Sequence, residues 1–142
     1  MKLVSFSSNG QEGFGIFSQS GIYPVLDKFK KEFPNLTAVI GSQKIEDFET
    51  FCENNPIPLS KVSLLPPIPN PGKIICAGMN YRKPHPVDGV AAPDPGHVVI
   101  YARHTETLVG HGADLELPSG KAAETYDFEG EIVAVIGKSG RF

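Results

Sequence analysis

Three observations predict an α+β fold that is mostly β. The first is a pair of short apolar segments, Lys2–Ser7 and Gly13–Ser18, flanking Asn9-Gly10, a strong hairpin signal. The second is a set of Val- and Ile-rich runs further on, at Lys73–Gly78, Val98–Ala102 and Thr125–Ile136. The third is the scarcity of apolar residues at helical spacing, which is confined to a few short stretches before residue 56.

Taken in order, Gly21–Val25 adds a third strand to the opening hairpin. Val25–Phe33 reads as a short helix ended by Pro34. Leu36–Ile40 is too short to assign. In Ile45–Cys52, the residues Ile45, Phe48, Phe51 and Cys52 fall at helical spacing, with Ser42 as the expected N-cap. Residues 56–71 then hold six of the thirteen prolines. Proline fixes φ and cannot donate to a ladder, so Leu64–Gly72 is expected to be an extended connector. This divides the chain into a β-rich domain with short helices at 1–63, a connector at 64–73 and a second domain at 74–142. Lys73–Gly78 is a strand, residues 82–97 a loop, Val98–Ala102 a strand and Gly110–Gly112 a turn. Thr125–Ile136 is a long strand followed by a turn at Gly137–Gly140.

Composition excludes several classes. The 142 residues can bury a core without disulfides, and two cysteines, Cys52 and Cys76, form no C-x-x-C. Thirteen basic and sixteen acidic residues argue against a nucleic-acid partner. No apolar run reaches the roughly 20 residues of a membrane helix, and the first residues have no signal-peptide pattern. A cytoplasmic, reducing setting is the expectation.

The chemistry concentrates in two places. In Tyr126-Asp127-Phe128-Glu129-Gly130-Glu131-Ile132-Val133, a strand puts Asp127, Glu129 and Glu131 on one face. Residues 106–131 carry seven acids against Lys121 alone. Like charges leading into an apolar strand are costly unless neutralised, which a hard divalent cation would do. The other reading is an edge strand whose acidic end faces water. The second place is Gly78-Met79-Asn80-Tyr81-Arg82-Lys83-Pro84-His85-Pro86-Val87-Asp88, where a strand enters a loop. A histidine with an acid three residues on can act as a general base; a polar surface loop is the alternative. Gly137-Lys138-Ser139 is no phosphate loop, because Ile132 stands where the motif needs glycine. His97, His104 and His111 share no helical face and read as loop and turn residues. Cys76 reads as a buried, inert thiol.

Together these segments resemble the fumarylacetoacetate hydrolase family. The likeness rests on Leu65–Cys76 with its prolines, on Gly78-Met79-Asn80-Tyr81, on Leu108-Val109-Gly110-His111-Gly112 and on Asp127-Phe128-Glu129-Gly130-Glu131. It implies a small β-rich leading domain followed by the start of a mixed-β catalytic domain. It implies an Mg²⁺- or Mn²⁺-dependent enzyme that cleaves a carbon–carbon bond in a small keto acid, acylpyruvate or fumarylacetoacetate in type. Glu129 and Glu131 match the family's metal pair, with Asp127 beside them. His85 and Asp88 match its catalytic dyad, though one residue further from Asn80-Tyr81 than is usual and with Asp in place of Glu. Tyr81 and Arg103 become substrate-side candidates, since an arginine can fork onto a carboxylate. Isomerase, decarboxylase and hydratase members share the same metal motif.

Family members usually run to about twice this length and form homodimers. The third metal ligand and an active-site lysine lie beyond the Glu-x-Glu strand. The resemblance therefore implies a truncated catalytic domain, inactive alone. The alternative is a non-catalytic remnant that docks on a full-length family subunit.

Overall fold

A computed structural model describes residues 1–78 and 96–141. It is mixed β with few helices, the α+β class expected. Two compact units divide the chain. One joins Met1–Ile68 to the stretch from Val109 onward, and the other is Pro69–Leu108.

The first unit is built on a four-stranded antiparallel sheet. Its strands are β1 (Leu3–Ser8), β2 (Gln11–Ser18), β3 (Gly21–Pro24) and β4 (Ser63–Leu64), in the order β3-β2-β1-β4. The expected hairpin is there. Asn9 and Gly10 take φ values of 51° and 76°, the two left-handed residues of a turn that matches strand twist. β4, from the proline-rich stretch, pairs Leu64 with Phe6.

Alternation along these strands sends side chains to two separate cores. Val4, Phe6 and Ile22 gather on one face, packed by Phe17, Ile57, Val62 and Leu64. Phe14 and Val25 gather on the other with Phe33, Leu36, Val39, Phe48 and Cys52. Ser5, buried on the sheet, donates its hydroxyl to the Pro67 carbonyl at 2.8 Å, so its polar atom is satisfied.

The helical segments differ from expectation. Leu36–Gly41 forms a helix, α1, because Asn35 caps it: the Asn35 side-chain oxygen accepts from the Ala38 N–H at 3.0 Å, and Leu36 and Val39 are buried. Ser42 does not begin the next helix but ends this one, donating its hydroxyl to the Val39 carbonyl at 2.7 Å. Ile45–Cys52 holds only a 3₁₀ turn at Phe48–Phe51. Backbone pairing explains the difference. Leu26 N–H donates to Phe51 and Glu53 N–H to Pro24, drawing the chain out of helical geometry at Cys52. Val25–Phe33 is likewise reduced to a 3₁₀ turn at Asp27–Phe29, since Val25 N–H is held by the Phe14 carbonyl.

The second unit contains β5 (Ile74–Gly78) and β6 (Val99–Arg103), paired antiparallel with Cys76 opposite Tyr101 and Ile74 opposite Arg103. Ile75 and Ile100 lie exposed on its other face.

The long strand expected at Thr125–Ile136 is not formed. A one-turn helix, α2 (Lys121–Glu124), precedes it, and Thr125 closes that turn. Residues 126–136 then run without any strand pairing among the described residues. Phe128 is 90% exposed and Ile132 fully so, with Val133 and Ile136 also exposed. A strand's hydrogen bonds need a neighbouring edge, and none of the described residues supplies one. No helix among them is long and apolar enough to cross a membrane.

Candidate functional site

Arg103 is placed by the β5–β6 pairing. Residues two apart on a strand share a face, and directly opposed residues share it too. Ile74, Cys76, Tyr101 and Arg103 therefore line one side of the two-stranded sheet. Beyond β6 a 3₁₀ turn at Thr105–Thr107 brings Thr107 and Leu108 back over that side. The turn is fixed by Thr107, whose N–H and hydroxyl both donate to the His104 carbonyl. The result is an open pocket of about 280 Å³ lined by Ile74, Cys76, Arg103, Thr107 and Leu108.

The guanidinium lies over the Tyr101 ring, 5.9 Å from its centre. Tyr101, by hydrogen bonding first and by charge second, pushes Arg103 above its ordinary value, with a smaller push from Cys76. The cation is permanent and exposed in an open recess, a fit for a small anion such as a carboxylate. Cys76 is not the buried thiol expected from its apolar strand. It is half-buried and lines this pocket. Alternation read without a strand partner gave no way to tell its covered face from its open one.

Glu129 and Glu131 lie in the first unit, on the unpaired stretch after α2, and both are exposed. One Asp127 carboxylate oxygen accepts from the Phe128 N–H at 2.8 Å, so Asp127 is engaged with its own backbone. The two glutamates offer hard oxygen donors of the kind Mg²⁺ and Mn²⁺ prefer. Among the described residues no group of three or more His, Cys, Asp or Glu side chains converges on a cation position. The donor chemistry of Glu129 and Glu131 is of the kind a divalent ion takes, and among the described residues no third such side chain joins them. Tyr81, His85 and Asp88 lie outside the described residues.

The structure also gives a reason for Gly110 in the Leu-Val-Gly-His-Gly run. A Cβ on Gly110 would lie on the Leu64 carbonyl oxygen, so only glycine lets the chain after Leu108 pass against the end of β4. The motif was legible in sequence, but its close backbone contact was not.

Comparison with known proteins agrees with the motifs. Residues 73–141 match the family profile described as fumarylacetoacetate (FAA) hydrolase C-terminal. The chain is 43% identical over 84 residues to an oxaloacetate tautomerase, YisK, of Bacillus subtilis (strain 168), covering 58% of this chain and 27% of that protein. It is 30% identical over 153 aligned positions to the mitochondrial oxaloacetate tautomerase fahd2 of Xenopus laevis, covering 99% of this chain and 46% of the relative. With the human mitochondrial oxaloacetate tautomerase FAHD2A it shares 33% identity over 85 residues, 60% of this chain and 26% of that one. The chain spans less than half the length of each of these relatives. It belongs to the fumarylacetoacetate hydrolase family.

Proposed function

We propose that this chain contributes to a divalent-cation-dependent enzyme acting on small oxo acids, and that the reaction is keto–enol interconversion of an oxaloacetate-like dicarboxylate. The observation that carries this reading is the 43% identity to the Bacillus oxaloacetate tautomerase. It favours tautomerisation over the carbon–carbon hydrolysis that the family resemblance alone suggests.

Glu129 and Glu131 would hold the cation. When bound, the ion supplies Lewis-acid polarisation of the substrate's oxo group, which makes the neighbouring C–H more acidic. Arg103 binds a substrate carboxylate by its guanidinium fork. His85, with Asp88 as its acidic partner, would take a proton from the carbon next to the oxo group, and one proton is delivered to the oxo oxygen, so the exchange balances. Tyr81 donates a hydrogen bond to the substrate's polar end. No carbon–carbon bond breaks, so water is not consumed.

The test follows the ultraviolet decay of the oxaloacetate enol with Mn²⁺ present, beside an acylpyruvate cleavage assay, both on the whole enzyme to which this chain contributes. The expected result is faster oxaloacetate interconversion, reduced about 100-fold or more in Glu129→Gln and Glu131→Gln. Cleavage of acylpyruvate with no effect on oxaloacetate would overturn the reading.

A further inference from the structure

We propose that the recess beside Arg103 is a covalent modification site, at which the Cys76 thiol takes up a small α,β-unsaturated carboxylate. The proposal rests on the reading of this recess as a carboxylate site, and not on which reaction the enzyme performs. Cys76 does not stand alone there. The β5–β6 register puts it opposite Tyr101, with Arg103 as its diagonal neighbour on the same face, within reach of a long side chain. The guanidinium lies over the Tyr101 ring and reaches the Cys76 side chain. The recess is open, Cys76 is half-buried in it rather than sealed, and Ile74 and Leu108 flank it with apolar surface.

A permanent cation and a sulfur nucleophile thus share one small volume. An anionic electrophile is drawn to the first and held against the second, so local concentration and proximity supply the rate. A neutral electrophile gains nothing from Arg103. An unsaturated carboxylate balances the step without a co-reactant. The sulfur bonds to one alkene carbon, the π pair passes to the carbon beside the carboxylate, and that carbon takes the thiol's proton. Nothing leaves, nothing is oxidised or reduced, and the product is a thioether. Its carboxylate stays on Arg103, so the modified recess no longer accepts an oxo acid. The chain's other cysteine supplies the contrast. Cys52 is buried, its Sγ donates to the Phe48 carbonyl, and burial pushes its thiol up to about 11.

The experiment labels the whole enzyme with iodoacetate or iodoacetamide, which share a leaving group and differ in charge. Mass spectrometry follows the peptides that hold Cys76 and Cys52. The expected ratio of iodoacetate to iodoacetamide rates at Cys76 is about ten-fold above that of the same cysteine in the urea-unfolded protein. Arg103→Gln returns it to the unfolded ratio, while Arg103→Lys, which keeps the charge, retains most of the preference. Added salt lowers the preference in the unsubstituted enzyme, a check that needs no variant. Fumarate then adds its whole mass to Cys76 and not to Cys52, and excess oxaloacetate slows that addition. Equal ratios in the folded and unfolded protein would overturn the proposal. So would a preference that Arg103→Gln leaves intact, or fumarate addition no faster at Cys76 than at Cys52. Absence of oxaloacetate interconversion with the charge preference intact would sink the reaction proposed above and leave this site standing.

Discussion

The β1–β2 hairpin and the stretch 126–136 are alike in composition and opposite in outcome. Both are rich in Val, Ile and Phe, and both include alternating apolar and polar residues, over 126–131 in the later stretch, before the all-apolar Ile132–Ile136. In the hairpin, Asn9-Gly10 turns the chain back so that each strand is the other's partner, and Phe6 and Phe14 are buried. In 126–136 no turn delivers a partner among the described residues, and the same kinds of side chain are exposed. Alternation states which faces a strand would have; only a neighbouring edge makes the strand.

This contrast predicts where substitutions will be felt. Phe48 is fully buried among Phe14, Phe51 and their neighbours. Phe48→Ala should cost about 3–5 kcal/mol, read by chemical denaturation. A loss under 1 kcal/mol would mean that this core is not tightly packed. Next comes pH. Burial, and secondarily the charge of Glu49, push the Cys52 thiol up from about 9 to about 11. A folded-state value above the unfolded one means stability is intact below about pH 9 and declines as pH rises through about 11. The decline should approach about 2 kcal/mol, and Cys52→Ala should remove that slope. Asn35→Ala, which deletes the cap of α1, should cost about 1 kcal/mol. The smallest effect belongs to the other region. Ile132→Ala should change the monomer's stability by no more than about 0.5 kcal/mol, as for exposed positions generally. A loss as large as that of Phe48→Ala would erase the contrast between the two regions.

The parts of the fold legible in sequence were those whose determinants are local. The hairpin was readable because Asn9-Gly10 specifies its own turn, and β5 and β6 because their apolar runs are bounded by turn residues. The helices were misjudged because their outcome depends on distant partners. Ile45–Cys52 has helical spacing, yet pairing with Pro24–Leu26 reshapes it. Leu36–Gly41 is short, yet a single Asn35 cap and two buried residues suffice. The same rule holds for the site. Arg103 entered as a substrate-side candidate through the family likeness alone, and Cys76 and Thr107 beside it did not enter as site residues at all, since cross-strand register and the turn after β6 place them. The Glu129 and Glu131 pair was readable from spacing together with family likeness; spacing alone left a solvent-facing acidic edge equally open.

The role given to Glu129 and Glu131 is tested most directly by Mn²⁺ titration followed through water-proton relaxation, with no substrate present. The account predicts saturable binding that weakens about ten-fold or more in both Glu129→Gln and Glu131→Gln, since each removes one anionic oxygen ligand. Absence of saturable binding, or binding that both variants leave unchanged, would contradict it.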